Sequence, residues 1–321
     1  MRVVFWGSPE FAVAVLEAVL ASAHEVAGVV TRPAEPGGRG RRPRPTPVAR
    51  LAESAGLPTL TPKRLRGDAV RAELAALGAD VFLVAAYGSI LPSDVLSQPP
   101  HGSLNVHASL LPEFRGAAPV TRAILEGRTA TGVTIMRMEE GLDTGAICLQ
   151  ATEPVLEGDT AEQLTRRLAV LGGRSAVEAL DRLEAGTLTE TPQDEARASY
   201  AAKVTTEEAR IDWSLSGAAI ERAVRAFDPW PGAWTTFRGE RLKVFRASSA
   251  DGAGVVAGGP GQESCSERSR PGAIVSLDSA PIVRTGDGVL RLDTVQPPGG
   301  RRMAGADWAR GRGVERGETL G

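Results

Sequence analysis

Residues 2–11, RVVFWGSPEF, join a buried β-strand to the start of an α-helix. Residues 2–6 are almost all apolar, which predicts a strand covered on both faces of its sheet. Gly7 then turns the chain, Ser8 is expected to cap the helix that follows, and Pro9 suits the first helical position.

The chain continues as alternating helices and strands. An apolar stripe at helical spacing (Phe11, Val15, Leu16, Val19) precedes a second predicted strand at Glu25–Val30. A strand, a helix and a strand in succession predict a right-handed crossover and a parallel sheet. Further strands are predicted at residues 80–85, Ser103–His107, 132–138 and 146–150, and helices ending near Leu77, at Pro119–Leu125 and from Thr160 to Gly172, with a resumption to Glu184.

The two segments at residues 132–138 and 146–150 alternate apolar with polar residues, which is the period-two pattern of a β-strand. The run at residues 80–85 is continuously apolar, which is typical of a central strand in a parallel sheet. The first part of the chain is therefore expected to be an α/β domain with a mostly parallel sheet.

The sequence changes character near Ser199. A polar link leads to a helix that carries Ile220, Val224 and Phe227. Five short apolar segments follow, and their spacing predicts a small β-barrel or sandwich. They lie at residues 233–237, 242–245, 273–277, 281–285 and 289–295. We therefore expect one domain at residues 1–199, a linker at 200–208 and a second domain at 209–321.

Two segments of the predicted second domain are interpreted as structural. Residues 250–270 are rich in Gly and Ser, which predicts a mobile surface loop with no chemistry of its own. Residues 227–232 read FDPWPG, which predicts a rigid exit from the helix, with Trp230 packed between the domains.

The composition is that of an ordinary globular protein. The chain has 321 residues, 42% of them hydrophobic and 24% charged, and its formal net charge is −2. A nucleic acid must therefore be bound through local basic patches. The first apolar run is too short for a signal peptide, and no stretch approaches the roughly 18 apolar residues of a membrane helix. Two cysteines without metal-ligand spacing favour a reduced, cytoplasmic setting, with no membrane association.

Polar side chains interrupt the predicted strand at Ser103–His107. Asn105 and His107 are two residues apart, so both point to the same face of the sheet. Asp143 follows on a glycine-flanked turn. If each residue is considered alone, His107 is interpreted as a core histidine and Asp143 as a turn residue. Taken together, an amide, an imidazole and a carboxylate can polarise a carbonyl group and move a proton.

The chain has no pattern typical of a serine or cysteine nucleophile. The amide, imidazole and carboxylate therefore fit direct transfer, in which an outside nucleophile attacks a carbonyl and the site stabilises the oxyanion. Hydrogen bonds can supply that stabilisation, so no metal is expected.

A basic arm lies early in the chain. Four arginines, Arg39, Arg41, Arg42 and Arg44, fall among Gly and Pro within six residues. The arm is either a solvated connection or a phosphate-contacting segment, for which arginine forks are well suited.

These motifs resemble the formyltransferase family over nearly the whole chain. The family's Asn, His and downstream Asp correspond to Asn105, His107 and Asp143. Residues 298–303 are similar to a C-terminal segment of the tRNA-directed branch. Other similar segments lie at residues 5–11, 86–92, 109–112, 115–119, 132–136, 141–145, 209–213 and 228–232.

The resemblance implies a Rossmann-like N-terminal domain and a smaller C-terminal domain resembling an OB barrel. It implies 10-formyltetrahydrofolate as formyl donor and the amino group of methionine on initiator tRNA as acceptor, with the basic arm and the barrel holding the tRNA. We expect a monomer. The implied folate-binding residues are Tyr87, Gly88, Leu91, Ser109, Leu110, Leu111, Pro112, Gly141 and Leu142.

Other functions stay open at this point. The same three side chains would serve a formyltransferase that acts on a small amine, such as glycinamide ribonucleotide or an amino-sugar nucleotide, or a formyl-folate hydrolase. A nucleotide-dependent oxidoreductase is disfavoured because the turn after the first strand lacks G-x-G-x-x-G. A non-catalytic RNA-binding protein is disfavoured by the Asn, His and Asp set.

Overall fold

The computed structural model describes residues 1–37, 42–250 and 270–321 and divides the chain into two compact units. The first unit contains Met1–Val120, Thr129–Val155 and Gln163–Ala202. The second contains Lys203–Gly321 together with Thr121–Arg128 and Leu156–Glu162.

Most elements up to residue 201 alternate between strand and helix. The strands are β1 (Arg2–Gly7), β2 (Glu25–Val30), β3 (Glu35–Gly37), β4 (Arg42–Arg44), β5 (Thr59–Leu60), β6 (Val81–Ala85), β7 (Ser103–His107), β8 (Arg115–Gly116), β9 (Ala130–Arg137), β10 (Ile147–Pro154) and β11 (Tyr200–Ala201). The helices are α1 (Glu10–Leu20), α2 (Pro47–Ser54), α3 (Asp68–Ala76), α4 (Ser93–Leu96), α5 (Pro119–Leu125) and α6 (Ala161–Glu184).

The central sheet has seven strands in the order β10-β9-β7-β6-β1-β2-β5. The pairs from β7 to β5 are parallel, whereas β9 is antiparallel to both β7 and β10. The predicted α/β class with a mostly parallel sheet is therefore confirmed. The strand predicted at residues 132–138 is β9, and it is buried from Thr131 to Met136 although its residues alternate apolar with polar.

Apolar side chains cover both faces of the sheet. On one face, Trp6 packs against Phe82 at a tilt and against Tyr87 edge-on, with ring centroids 5.3 and 5.2 Å apart. Helices α3 and α4 pack on that face through residues such as Leu74 and Leu96. The predicted stripe of α1 is buried, as its spacing requires.

Two local expectations about the helices are wrong. Ser8 does not cap α1; its hydroxyl donates to the Tyr87 carbonyl oxygen at 3.2 Å, and Pro9 occupies the N-cap position. Helix α6 also runs without interruption through Gly172 and Gly173. A Cβ atom at Gly172 would lie 2.9 Å from Val106 Cγ1, so this glycine lets α6 approach the sheet closely.

The second unit is built on antiparallel strands. Its elements are α7 (Gly217–Ala226), β12 (Ala233–Phe237), β13 (Glu240–Ser249), β14 (Ile274–Ser276), β15 (Ile282–Arg284), β16 (Val289–Gln296), β17 (Met303–Ala304) and α8 (Gly305–Arg312). The sheet order is β12-β13-β16-β15-β14, with β17 also paired to β16. Among the described residues, no pairing joins β12 to β14 and closes this sheet.

The segment after α7 is anchored at Asp228, but its tryptophan is exposed. Asp228 is 7% exposed and accepts a hydrogen bond from Arg302 Nη2 at 2.6 Å. Trp230 is 61% exposed, and its packing between the domains stays a prediction. The loop predicted at residues 250–270 lies almost entirely outside the described residues.

Cys148 is a buried free cysteine on β10, and burial raises the pKa of its thiol from 9.0 to about 11. Desolvation penalises the thiolate, so the folded state favours the protonated form. We expect Cys148 to resist a disulfide reagent at pH 8 in a Cys265→Ser background and to react fully in denaturant. Because the folded state holds the proton more tightly, the thiol contributes to the free energy of unfolding below pH 9, and this contribution is lost as the pH rises through 11. Rapid labelling of the folded protein at pH 8 would contradict the assignment.

No helix in the described ranges is both long enough and apolar enough to cross a membrane.

Candidate functional site

Asn105 and His107 lie on β7, which is hydrogen-bonded between β6 and β9. In register, Asn105 lies between Val84 and Met136. His107 is buried and Asn105 is half-buried. The Asn105 amide has no hydrogen-bond partner among the described residues, so its N–H groups are available to a ligand.

The His107 ring has one nitrogen engaged and one available. Nε2 lies 2.9 Å from the carbonyl oxygen of Phe114. A carbonyl only accepts, so Nε2 carries the proton and donates it. Nδ1 lies 3.6 Å from Asp143 Oδ2, which is too long for a direct hydrogen bond. That gap leaves Nδ1 free to meet a substrate atom beside the carboxylate.

Asp143 completes the group that the sequence predicted. Its backbone is left-handed, with φ of +54°, which Asp tolerates better than most residues. Its Oδ2 accepts a hydrogen bond from the Gly116 N–H at 2.8 Å. Gly116 has φ of +108°, and a Cβ there would lie 2.7 Å from the Tyr200 ring. Only glycine therefore fits at the position that donates to Asp143.

A polar network behind Asp143 was not predicted. Gln193 Nε2 lies 2.8 Å from the carbonyl oxygens of both Asp143 and Gly145. Arg115 donates to Gln193 Oε1 and to both carboxylate oxygens of Glu195. Hydrogen bonding to Arg115 lowers the pKa of Glu195, so the pair stays ionised at neutral pH. No local pattern marks Gln193 or Glu195, because they reach the site from about 50 residues away in sequence.

The segment after His107 forms a fixed turn. Ser109 is fully buried and its hydroxyl donates to the Glu113 carbonyl oxygen at 2.6 Å. Thr134 bridges the turn: its hydroxyl donates to the Ser109 carbonyl oxygen at 2.7 Å and accepts from the Leu111 N–H at 3.0 Å. Leu110 is half-buried, whereas Leu111 and Pro112 are buried. Of these four predicted folate residues, Leu110 has the side chain most accessible to a ligand.

The other predicted folate residues divide into buried and exposed groups. Tyr87 and Leu91 are buried, and burial raises the pKa of Tyr87. Gly88, Gly141 and Leu142 are exposed, and the Leu142 side chain is 51% accessible.

A cavity of about 320 Å³ opens on the same side of the sheet as Asn105. Ser103 lines it and precedes Asn105 by two residues, so both side chains face the same way. Leu96 and Met138 supply apolar walls, and Glu139 and Glu140 supply carboxylates. None of the nine predicted folate residues lines it, although Glu140 directly precedes Gly141.

The basic arm is described only in part. Arg42 and Arg44 lie on β4, which pairs with β3 so that Arg44 is opposite Glu35. This hairpin was not predicted, and the Arg44 side chain is exposed. Arg39 and Arg41 lie outside the described residues.

No three side chains among His, Cys, Asp and Glu come together as metal ligands in the described ranges. The fold is that of an α/β protein with a mostly parallel sheet, and its strand β7 and the loop before β10 bring an imidazole and a carboxylate together. The chain belongs to the formyl transferase family: residues 1–180 match the Formyl transferase domain and residues 203–313 match the Formyl transferase, C-terminal domain.

Relatives align with the entire chain. It is 46% identical to a protein of Roseiflexus sp. (strain RS-1) named methionyl-tRNA formyltransferase, covering 100% of this chain and 95% of that protein. A protein of the same name from Methylobacillus flagellatus is 42% identical, with 100% of both chains covered. HypX from Aquifex aeolicus, solved in complex with tetrahydrofolic acid, shares the fold with a TM-score of 0.64 and 20% identity, over 96% of this chain and 47% of that one.

Proposed function

We propose that this chain transfers the formyl group of 10-formyltetrahydrofolate to the amino group of methionine on initiator tRNA, for translation initiation. One observation supports the chemistry: His107 Nδ1 lies 3.6 Å from Asp143 Oδ2, and the Asn105 amide, which has no partner among the described residues, precedes His107 by two residues on the same strand. The acceptor follows from full-length relatives named methionyl-tRNA formyltransferase.

The first chemical step is attack by the uncharged methionine amine on the formyl carbon. The new N–C bond places negative charge on the formyl oxygen. The Asn105 amide, which has no hydrogen-bond partner among the described residues, donates an N–H to that oxygen. His107 donates a second hydrogen bond from Nδ1 in the form that carries protons on both ring nitrogens, while Nε2–H stays bonded to the Phe114 carbonyl oxygen. Donors already aimed at the developing charge stabilise the transition state more than the ground state.

Proton transfer accompanies collapse of the adduct. Asp143 takes the proton that the attacking amine loses, directly or through a water, and the proton passes to the folate nitrogen as its bond to the formyl carbon breaks. One Asp143 oxygen is held by the Gly116 N–H, whereas Oδ1 accepts no hydrogen bond from the described residues. Oδ1 is therefore the oxygen assigned to the proton.

The ring of the donor is assigned to the cavity that Ser103 lines. Small-molecule sites typically enclose about 300–1,000 Å³, so this cavity suits a compact ring. Leu96 and Met138 would pack on the faces of a flat heterocycle, while Glu139 and Glu140 accept from its N–H groups. Ser103 and Asn105 are about 7 Å apart along the strand. A donor whose ring lies against Ser103 can therefore extend its formyl group to the hydrogen-bond donors of Asn105 and His107.

The nine predicted folate residues are kept in this proposal. None of them lines the cavity, so Tyr87, Gly88, Leu91 and the turn at residues 109–112 are proposed to contact the part of the donor outside it, and Gly141 and Leu142 to cover the donor from the loop that carries Asp143. The exposed Leu142 side chain offers an apolar contact that has no other evident purpose.

The arm Arg39, Arg41, Arg42 and Arg44 is proposed to hold the acceptor end of the tRNA. Replacing Arg42 and Arg44 by Ser should raise KM for charged tRNA about threefold to tenfold and lower the slope of log(kcat/KM) against log[salt] by about 1 to 2. KM for the formyl donor should stay unchanged. Arg66→Ser is the matched control, because Arg66 is an exposed arginine of the same unit outside the arm. An unchanged salt slope would refute the assignment.

The domain boundaries, the barrel and the oligomeric state are also proposed. Residues 1–199 form the formyl-folate domain, 200–208 the linker and 209–321 the tRNA-binding domain. An OB-like barrel for the last is supported by the register shifts of β13 near Arg246, which bend a strand. We propose that the protein acts as a cytoplasmic monomer.

The decisive experiment supplies 10-formyltetrahydrofolate with one acceptor at a time. Methionyl initiator tRNA, an amino-sugar nucleotide, glycinamide ribonucleotide and water alone are compared, and formylated product and free formate are quantified. Formyl-methionyl-tRNA should exceed every other product. Formate without formylated acceptor would instead indicate a hydrolase, and formylation of a small amine would indicate the other branch.

A further inference from the structure

We propose that Gln193 is a positioning residue for Asp143, and that Arg115 holds Gln193 in the orientation this requires. The inference rests on the proposed function, because it assigns Asp143 a catalytic role. No sequence motif marks Gln193.

The contacts of Gln193 are complementary at both ends of its amide. Nε2 lies 2.8 Å from the carbonyl oxygen of Asp143 and 2.8 Å from that of Gly145. Oε1 accepts from Arg115 Nε at 3.0 Å and from Nη2 at 2.9 Å. Because arginine donates and never accepts, Arg115 fixes which end of the amide faces the loop.

Arg115 is itself held firmly. Its residue exposure is only 8%, and Glu195 accepts from Nη1 at 2.9 Å and from Nη2 at 2.7 Å. A bidentate pair of this kind fixes direction as well as distance. The guanidinium therefore has little freedom to release Gln193.

Arg115 also lies between the two backbone groups that touch the catalytic side chains. The carbonyl oxygen of Phe114 accepts from His107 Nε2, and the N–H of Gly116 donates to Asp143 Oδ2. The Arg115 side chain reaches the Asp143 backbone through Gln193. One three-residue segment thus sets the position of His107 and, by two routes, that of Asp143.

Asp143 depends on such support. Its left-handed φ of +54° is sparsely populated by residues other than glycine. Regular strand pairing of β10 resumes only at Ile147, four residues later. Gln193 is the described side chain that donates to the Asp143 carbonyl, so its loss lets this part of the loop relax away from His107.

The test is a double-mutant cycle in single-turnover assays at saturating substrates. Gln193→Met keeps the length of the side chain but removes both donors. We expect it to lower the single-turnover rate about 10- to 100-fold, the scale of a misplacement near 1 Å, whereas KM for tRNA, measured separately in steady-state assays, should stay almost unchanged. In the Asp143→Asn background the same change should cost less than about threefold, because Gln193 acts through Asp143.

Gln98→Met is the matched control. Gln98 Nε2 also donates to a backbone carbonyl, that of Arg71, at 2.7 Å, but it touches no residue of the site. It should lower the melting temperature without changing the rate.

Each outcome decides a separate point. Equal losses from Gln193→Met in both backgrounds, or a rate within twofold of wild type, would overturn the positioning role. A normal rate in Asp143→Asn alone would instead overturn the catalytic role of Asp143 and, with it, the proposed mechanism. If Gln98→Met were as slow as Gln193→Met, loss of stability alone would explain both rates, and the positioning role of Gln193 would be rejected.

Discussion

Asn105→Ala should lower kcat for formyl transfer about 100- to 1,000-fold, the usual cost of losing one oxyanion donor. The amide has no other described partner, so its removal should leave the melting temperature nearly unchanged. KM for both substrates should change little, because the interaction forms only as charge develops on the formyl oxygen. Steady-state kinetics with varied donor and varied tRNA measure this separation.

The control for this substitution is Asn105→Asp, which has almost the same shape. It replaces the donor by an anion where negative charge forms, so it should be slower than Asn105→Ala. Asn105 is also the only asparagine in the chain. Selective ¹⁵N labelling therefore gives a single side-chain amide signal in NMR spectra, and that signal should shift when a formyl-folate analogue binds. An unshifted signal with full occupancy would place the donor elsewhere.

Asp143→Asn should lower kcat about 100- to 10,000-fold, the range over which general acid–base groups contribute. Asparagine tolerates the left-handed backbone at this position and can still accept from the Gly116 N–H. The substitution therefore removes the negative charge and the basic oxygen with little change in structure.

Asp143→Ala serves as the comparison for Asp143→Asn, because it adds backbone strain to the loss of charge. It should unfold at a lower temperature than Asp143→Asn while being no less impaired in kcat. Activity of Asp143→Asn within threefold of wild type would exclude this carboxylate as the proton acceptor.

Local patterns predicted the elements that carry the proposed catalytic side chains. Ser103–His107 was predicted with its observed bounds, because a short apolar strand between turn residues has few alternatives. The spacing of Asn105 and His107 then placed both side chains on one face, and the structure brings Asp143 within 3.6 Å of His107. These features depend on periodicity, which is local in sequence.

The rest of the site depends on contacts between distant segments. Gln193 and Glu195 approach Asp143 only after the chain folds, so neither residue has a pattern of its own. The antiparallel direction of β9 is likewise set by pairing with β7. The glycine pair in α6 was expected to end the helix, because a glycine in isolation disfavours helix. Packing against Val106 outweighs that preference.

The pair of glycines in α6 has a consequence for the accuracy of the reaction. Val106 stands between Asn105 and His107 and faces the opposite side of the strand, where Gly172 leaves just enough room for its methyl group. A methyl group added at residue 172 would press on Val106 from the rear and tilt both donors together. In the proposed mechanism, the alignment of Asn105 and His107 thus depends partly on a helix packed against the other face of their strand.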